Sequence, residues 1–577
     1  MHDSNLKIDK HGRTFSILFL ACQLLIFVAI GIRWLWMYRY DQPLDIDEAG
    51  YLGLSLLDYH GLLQGGLGGL VGAIESSHIQ APLMPALTAV LYCVTGAHVI
   101  SGFLVPLLAG AAVIAATYYL GIALGSRCVA AVSTVLTATC PIILSYSRSY
   151  NFSLLATFMA TMAMVALLRS DRFRRIGWAL VFGVSVGLMP LARTMTLAFI
   201  PGILSAAIVY TIVDRSDRHR RFLNLFGSLL LAMAIASTWL WPNGRSVFGY
   251  LINFGYGAHA AEYGTSHAGF GFVNWLYTVE TFIAFVNLPH FLVMLAGALA
   301  LLWLVGRSIS CNFFEFLGSV AHTSVLPVFL YVTEALLVLT STQNKGSAFI
   351  APIVPAVIVL SVWSCRKLSN NRIYRWAMAM AVLLVSLLAI APSIDLKSAR
   401  ICIVNLPVLG PSTVFDGRGT IQLYEAAGGF ATSDPSEPIS LADGRTWLAV
   451  TRATASKIRQ LGGSQSVTAF GFRHRLYNLN MVGLQEWIEY GYQTSIVQVD
   501  PLVTGDSVAG DLNWLTHGDA EKASLLLIIA DDKYQFTPVV NHFRMINAAQ
   551  QAGFQNVARW ALPNGQTVLL WQRSSQS

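Results

Sequence analysis

The stretch RWLWMYRYDQPLDIDEAGY, residues 33–51, joins the end of a long apolar segment to a cluster of acids. The apolar segment begins near residue 14 and is long enough to cross a hydrocarbon core of about 30 Å. Four carboxylates follow it closely: Asp41, Asp45, Asp47 and Glu48. Only 12% of the chain is charged, so an acidic cluster at the edge of a membrane span points to a specific role.

The composition of the whole chain is that of a membrane protein. Its 577 residues are 55% hydrophobic, with a mean hydropathy of +0.57, and further apolar runs are long enough to span a bilayer. The net charge is +7, but the basic residues lie in short clusters between apolar runs, as in loops that face anionic lipid. We therefore expect a lipid bilayer, and no nucleic acid, as a partner. The seven cysteines show no disulfide framework.

The basic clusters also predict a topology, because Lys and Arg favour the cytoplasmic side of a membrane. The first apolar run is interpreted as a retained span, since no small-residue cleavage site follows it. Placing every basic cluster in the cytoplasm gives eleven helices, with the N-terminus inside and the C-terminus outside. The predicted spans are roughly residues 14–38, 99–123, 128–146, 153–168, 176–193, 196–213, 222–242, 285–305, 323–341, 348–364 and 376–393.

The run APLMPALTAVLYCVTGA, residues 81–97, does not fit this alternation. A full span there would put Arg127 outside, so we predict an interfacial or re-entrant helix. The first outer loop, residues 41–98, then contains six acids and no Lys or Arg. It forms a purely acidic surface on the outer side of the membrane.

The polar region 394–577 contains no spanning run and predicts a water-soluble α/β domain outside the cytoplasm, separate from the transmembrane region 1–393. SLLLIIADD from Ser524 has the pattern of a buried strand, and TPVVNHFRMINAAQQAG from Thr537 that of a helix. The C-terminal segment predicts a hairpin that turns at Asn564 and Gly565. Since no phosphate loop, metal cluster or nucleophile motif is present, we expect this domain to recognise the acceptor or brace the membrane domain.

The acidic pair Asp47-Glu48 beyond the first span, the long first outer loop, the APL re-entry and the order of the loops together resemble a known superfamily. They are similar to the GT-C glycosyltransferases, specifically the protein O-mannosyltransferase and aminoarabinose transferase group. The resemblance covers about residues 14–393. It implies transfer of a sugar from a polyprenyl-phosphate donor, with inversion, to a lipid, glycan or protein acceptor outside the cytoplasm. The location expected is a bacterial plasma membrane, because the outer domain has no Asn-x-Ser/Thr acceptor site.

The chemistry of such a transfer explains the acids. A sugar on a lipid phosphate already carries its leaving group, so the acceptor hydroxyl needs a general base, and an oxocarbenium-like transition state gains from nearby negative charge. The resemblance assigns the base to Asp47 and a supporting role to Glu48. Asp41, Asp45 and Asp58 are expected to be solvated loop acids.

The leaving phosphate needs cations, which the acidic loop lacks. Arg148, Arg193 and Lys345 lie at predicted outer ends of spans, against the usual charge asymmetry. They are candidate donor phosphate ligands, Arg as a bidentate fork and Lys as a point charge. The alternative is that they anchor lipid headgroups.

Two positions depart from the pattern of the group. Members often have His or Lys before Pro-Pro-Leu at the re-entry, whereas this chain has Gln80 there and His78 two residues earlier. Asn151 stands where an Asp commonly follows the Arg of the second outer loop. These differences leave the donor sugar open, and they leave open whether a divalent cation is held. No other cofactor is expected.

The loop NFGYGAHAAEYGTSHAGFGF, residues 253–272, is rich in glycine and carries His259, Glu262 and Tyr263. It is either a plain loop or a lid that orders when the donor binds. His259 and Glu262 do not make a metal motif, because no further ligands accompany them at a suitable spacing. Tyr51 of the acidic loop is a further candidate contact for substrate.

Two other functions compete with this interpretation. A transporter would account for many spans and for Glu334 within one of them, but the chain shows no internal repeat. A lipid-linked polysaccharide ligase or polymerase would concentrate its functional residues in a late outer loop, whereas here the acids lie in the first one.

Overall fold

A computed structural model gives the structure of the chain for most of its length. It shows helices up to residue 394, a short hairpin after residue 400 and a mixed α/β unit from residue 440. The structure describes residues 10–214, 216–257, 260, 268–309, 323–346, 348–368, 372–394, 401–416, 440–536 and 538–574.

The first part is a helical membrane domain. Within the described ranges, seven helices or helical segments are long and apolar enough to cross a membrane, and five shorter apolar helices accompany them. The membrane character is thus confirmed, while the count of eleven spans stays a prediction. The helices are α1 (Lys10–Tyr38), α2 (Ile46–Glu75), α3 (Leu83–Thr95), α4 (Val99–Gly102), α5 (Leu104–Leu124), α6 (Arg127–Thr139), α7 (Pro141–Tyr146), α8 (Ser153–Arg169), α9 (Ile176–Ala192), α10 (Ile200–Ile212), α11 (Arg218–Tyr256), α12 (Phe272–Ile309), α13 (Val325–Ser341), α14 (Val354–Leu368) and α15 (Arg372–Ile394).

Helix α2, in the first outer loop, reverses on itself at Gly66. The φ of 59° at Gly66 interrupts the helix, a conformation that costs a glycine little. Gly61 and Gly69 then lie so close that a Cβ on Gly69 would be 2.0 Å from the Gly61 carbonyl oxygen. Helix α3 has 13 residues, about 20 Å, which is too short to cross a bilayer. This fits the expectation of an interfacial or re-entrant helix.

The C-terminal unit is a five-stranded mixed sheet with helices, after a separate antiparallel hairpin of β1 and β2. The strand order is β4-β3-β5-β7-β6; β3 is parallel to β4 and β5, and β7 is antiparallel to β5 and β6. The elements are β1 (Ile401–Leu406), β2 (Gly410–Asp416), α16 (Leu441–Gly462), β3 (Val467–Phe470), α17 (Leu479–Tyr490), β4 (Ser495–Gln498), α18 (Pro501–Thr504), α19 (Val508–Thr516), β5 (Leu525–Ile529), α20 (His542–Gln551), β6 (Phe554–Ala561) and β7 (Thr567–Arg573).

The elements predicted for this unit are present. Strand β5 is buried along its whole length, and β6 and β7 form the hairpin, with φ of 84° at Gly565 in the turn. Helix α20 begins later than predicted, because the Asn541 side chain caps it by accepting a hydrogen bond from the Arg544 N–H at 3.0 Å.

The C-terminal unit rests on the start of α2. The Asn480 side-chain amide donates to the Ile46 carbonyl at 2.8 Å, and the Asn478 amide to the Leu44 carbonyl at 3.4 Å. Arg445 forms an ion pair with Asp41, 3.1 Å from Nε to Oδ2. These contacts fix the acidic end of α2 between the membrane helices and the C-terminal unit.

Candidate active site

The first turn of α2 separates the two neighbouring acids. The Asp45 carboxylate caps the helix by accepting a hydrogen bond from the Asp47 N–H at 3.0 Å. Consecutive residues of a helix point about 100° apart. Asp47 therefore faces a cavity, whereas Glu48 faces the protein core and is buried.

Glu48 is fully engaged by protein donors. Its carboxylate pairs with the buried Arg39 guanidinium. It also accepts hydrogen bonds from the Ser149 hydroxyl at 2.8 Å and the Tyr150 N–H at 3.0 Å. Glu48 thus ties α2 to α1 and to the loop after α7, and it has little capacity left to take a proton from a substrate.

Asp47 has accessible surface, but this surface opens into a cavity surrounded by protein. Burial raises the pKa of the Asp47 carboxyl above its usual range; the Arg193 guanidinium opposes that rise and Glu48 adds to it. A carboxylate with a raised pKa is a stronger base than an ordinary one. Asp47 has the surroundings expected of a general base.

Arg193 is the cation that faces this acid. It follows α9 and donates to the Ser153 hydroxyl at 2.7 Å and to the Ala348 carbonyl at 3.3 Å. Its guanidinium carbon lies 4.9 Å from the centroid of the Phe349 ring. These contacts hold the guanidinium in place while part of it lines a cavity.

Two cavities meet beside Asp47. The larger cavity, about 340 Å³, is lined mainly by apolar and aromatic side chains of α11 and the neighbouring segments, together with Arg193. The smaller cavity, about 310 Å³, lies between α2 and α17 and includes Asp47. Tyr51 and Gln80 line both cavities, so these two side chains form a shared wall.

The other two predicted cations are not among the residues that line either cavity. Arg148 is buried, with its guanidinium carbon 5.3 Å from the centroid of the Trp34 ring. The Lys345 ammonium is buried at the end of α13, where it donates to the carbonyls of Leu339, Thr340 and Thr342 at 2.7, 3.1 and 2.9 Å. Burial lowers the pKa of Lys345 to about 8. The geometry places Lys345 as a cap of α13 and leaves Arg193 as the cation at the larger cavity.

Of the remaining predicted site residues, some line the cavities and others do not. Tyr51 and Gln80 are at the shared wall, whereas His78 is exposed and lines neither cavity. His259, Glu262 and Tyr263 lie outside the described residues, so the lid stays a prediction. Glu334 of α13 packs against Gly202 of α10.

The expectation that the other loop acids are merely solvated is wrong for Asp58. Asp58 is only 3% exposed, and no described residue bonds to its Oδ2 atom. Helix α2 packs against α3, and local sequence does not reveal which of its acids such packing buries. Asp41 instead contacts Arg445, and Asp45 caps α2.

Several cavity residues carry no signal in the sequence. Trp487, Asn480 and Gln493 belong to the C-terminal unit and reach the site only because that unit packs on α2. Phe152, after the second outer loop, lies 4.0 Å from Tyr51 between ring centroids. No local motif marks such contacts between distant segments.

The described residues of the site do not fit a divalent cation. Mg²⁺ and Ca²⁺ require several oxygen ligands, but Asp47 is the one carboxylate among the described residues that line the smaller cavity, and the Glu48 oxygens are taken by protein donors. Asn151 accepts hydrogen bonds from the Ser153 N–H and hydroxyl. Among the residues described, no group of three or more His, Cys, Asp or Glu side chains could hold a metal.

Comparison with known proteins places this site in context. Residues 79–241 match the family described as dolichyl-phosphate-mannose-protein mannosyltransferase. The comparison with curated protein sequences gives no significant match.

Solved structures with the same fold cover almost the whole chain. ArnT from Cupriavidus metallidurans in the apo state has a TM-score of 0.55 at 15% identity, over 97% of this chain and 98% of that one. The same protein bound to undecaprenyl phosphate has a TM-score of 0.54 at 15% identity, over 96% of this chain and 98% of that one. The oligosaccharyltransferase AglB from Archaeoglobus fulgidus has a TM-score of 0.51 at 11% identity, over 97% of this chain and 75% of that one. The arabinofuranosyltransferase AftD from Mycobacteria has a TM-score of 0.53 at 12% identity, over 96% of this chain and 40% of that one.

Proposed function

We propose that this chain moves a sugar from a polyprenyl-phosphate donor to an acceptor hydroxyl outside the cytoplasm. The family match and the shared fold together identify it as a GT-C glycosyltransferase. The observation that carries the proposal is the position of Asp47, where the apolar cavity with Arg193 and the polar cavity meet. The binding of undecaprenyl phosphate by ArnT, which has the same fold, supports the choice of donor.

The larger cavity suits the donor. Its aromatic and aliphatic lining matches the first isoprene units of a lipid carrier, and Arg193 lies where a phosphate would end that chain. A guanidinium can bind a phosphate through two parallel hydrogen bonds. The sugar would then sit at the shared wall of Tyr51 and Gln80, within reach of the smaller cavity.

The reaction follows from this arrangement. The acceptor oxygen attacks the anomeric carbon, and the bond from that carbon to the phosphate oxygen breaks. The phosphate leaves with the electron pair, and Arg193 stabilises the charge that develops on it. The hydroxyl proton passes to Asp47, whose negative charge also favours the oxocarbenium-like transition state.

Inversion at the anomeric carbon is the expected outcome. Retention by double displacement needs a carboxylate nucleophile in addition to an acid or base. Here Glu48 is held by Arg39, Ser149 and Tyr150, and Asp47 is the one carboxylate that the described residues place at the cavity. A single displacement, with acceptor and donor in opposite cavities, inverts the configuration.

The proposed location is the plasma membrane, with the cavities and the C-terminal unit outside the cytoplasm. The distribution of Lys and Arg between the apolar runs supports this orientation. It places the acidic end of α2 where a membrane-bound donor and a water-side acceptor can meet.

Transfer from defined donors tests the proposal. Purified protein would be incubated with radiolabelled polyprenyl-phosphate sugars and an envelope extract, and the label would be followed out of the carrier lipid. We expect acceptor-dependent loss of label with at least one donor and an inverted linkage in the product. A protein that cleaves no such donor, but moves a solute across liposomes, would be a transporter and would contradict the proposal.

A further inference from the structure

The smaller cavity differs in chemistry from the larger one. Among the described residues, its lining includes one charged side chain, Asp47, and no Lys or Arg. Its other polar and aromatic side chains include the amides of Gln80, Asn480 and Gln493, the phenol of Tyr51 and the indole of Trp487. A cavity of about 310 Å³ is at the small end of the range for small-molecule sites.

Two of these amides are available to a ligand. Neither the Gln80 nor the Gln493 side chain has a hydrogen bond to another residue within the described ranges. Asn480 uses its amide nitrogen to bond the Ile46 carbonyl at 2.8 Å, which holds its position and leaves its side-chain oxygen as an acceptor. Amides combine donors and acceptors, and this suits hydroxyl groups, which also do both.

Trp487 gives the cavity a rigid aromatic surface. The His60 ring stacks on its indole, with centroids 5.5 Å apart and an angle of 23° between the planes. This contact fixes the ring, which also lines the cavity. An indole offers a large apolar surface with a polar edge, and the C–H face of a sugar ring packs on such a surface while its hydroxyls bond to amides.

The charge of the described lining disfavours anionic acceptors. A phosphate or carboxylate group brought beside Asp47 would meet a like charge and find no cation among the described lining residues. Arg193 lies across the shared wall in the larger cavity, where the donor phosphate would occupy it.

The backbone around the cavity does not suit a peptide. Extended peptides commonly pair with an exposed strand edge. Here the walls come chiefly from α2 and α17, whose internal N–H and C=O groups are already bonded within the helices.

We propose that the smaller cavity is the acceptor subsite and that it takes a neutral carbohydrate, one hydroxyl of which gives its proton to Asp47. This inference rests on the proposed function for the role of Asp47. It adds the chemical class of the acceptor and assigns Trp487 and Gln493 of the C-terminal unit to acceptor binding.

Binding by the full-length protein in detergent tests the inference. The probes are neutral oligosaccharides of mannose, glucose, galactose and arabinose, their phosphorylated counterparts, and a Ser/Thr-rich peptide, with saturation-transfer NMR as the readout. We expect at least one neutral series to bind. Gln493→Ala should weaken that binding about 2- to 10-fold, the range for one neutral hydrogen bond, and Trp487→Ala should weaken it more.

The controls separate this inference from the proposed function. Gln493 is exposed and has no bond to lose, so Gln493→Ala should fold normally; Gln550→Ala, at an exposed position of α20, is the matched control and should bind sugar as the native protein does. Neutral sugar binding without any transfer would contradict the proposed function and leave the subsite standing. Transfer to a phosphorylated or peptide acceptor with no neutral sugar bound, or unchanged binding in Gln493→Ala and Trp487→Ala, would overturn the inference.

Discussion

At the scale of single residues, the two acids at the start of α2 differ through their neighbours. Glu48 is buried against Arg39, Ser149 and Tyr150, whereas Asp47 opens into a cavity across from Arg193. The sequence alone indicates an acidic pair. Which member can accept a proton depends on segments about one hundred residues away, so it requires the folded structure.

The predicted phosphate ligands show the same dependence. Arg148, Arg193 and Lys345 all lie at predicted outer ends of spans, where Lys and Arg are usually rare. The sequence alone therefore does not distinguish them. Tertiary packing separates the three charged groups. The Arg148 guanidinium lies over Trp34, the Arg193 guanidinium lies at the larger cavity, and the Lys345 ammonium lies against the carbonyls that end α13.

Substitution of Arg193 should therefore affect the donor more than substitution of Lys345. Arg193→Gln removes the charge at the larger cavity and should weaken donor binding by about 1.5 to 3 kcal/mol, the range for a hydrogen bond to a charged group. Lys345→Ala should leave donor affinity nearly unchanged and lower thermal stability, because three carbonyls lose the hydrogen bond that the ammonium donates. Titration of the three proteins with a polyprenyl phosphate gives both affinities. Equal weakening in both variants would return Lys345 to the phosphate site.

At the scale of elements, α2 carries most of the site. Its N-terminus presents Asp47, and Asp58 is buried further along it. Its middle is tied to α3 by Tyr150, whose hydroxyl bonds to Ser55 at 2.6 Å and to Thr88 at 2.5 Å. The sequence predicts a long outer loop with helices. Its hairpin form follows from the close approach of Gly61 and Gly69, a contact that glycine content suggests but does not define.

Asp58 gives α2 a stability that depends on pH. Burial raises the pKa of its carboxyl to about 7 from the usual 3.8, so the folded state binds this proton more tightly than the unfolded state. Stability from this group is full below about pH 4 and falls as the pH rises to 7.

Asp58→Asn keeps the shape of the side chain without the charge. The difference between the unfolding temperature of this variant and that of the native protein should therefore rise, in favour of the variant, from pH 5 to pH 8. Thermal unfolding of both proteins in detergent across this range measures the difference. Asp41→Asn, which breaks only a surface ion pair with Arg445, should gain no stability over the same range. A constant difference for Asp58→Asn would mean that the buried carboxyl does not titrate there.

Among the elements of the C-terminal unit, short-range patterns predict β5, α20 and the β6–β7 hairpin well. They do not predict the position of α17, because its contact with α2 joins residues more than four hundred positions apart. Trp487 and Gln493 look like ordinary residues of a small α/β unit until that packing is known.

At the scale of the whole molecule, the resemblance noted in the sequence is confirmed at the level of the GT-C fold. The acidic pair, the long first outer loop, the APL re-entry and the order of the loops together are sufficient for that, since they reflect the bilayer and the chemistry at its surface. The number of spans and the sidedness of the termini stay predictions, because five of the apolar helices are short and could cross or lie within the surface layer.

Cysteine labelling tests the topology. Single cysteines placed near each end of a cysteine-free variant should react differently with a membrane-impermeant maleimide in intact cells. We expect the C-terminal site to react and the N-terminal site to be protected until the membrane is permeabilised. The opposite result, or reaction of both ends, would contradict the arrangement of eleven spans.

We propose that Asp47 removes the acceptor proton where the two cavities meet. Asp47→Asn keeps the size of the side chain and removes both the base and its charge. General base catalysis contributes about 10² to 10⁴ in rate, so turnover should fall by at least 10²-fold while affinity for the polyprenyl-phosphate donor is retained. Asp41→Asn, at the same end of the loop but paired with Arg445, should keep most of its activity.

The most direct measurement is therefore turnover of purified native, Asp47→Asn and Asp41→Asn proteins with one labelled donor, with donor affinity determined on the same samples. We expect a large loss of turnover confined to Asp47→Asn, at unchanged donor affinity. An Asp47→Asn protein that transfers sugar at a rate close to the native one would contradict this expectation.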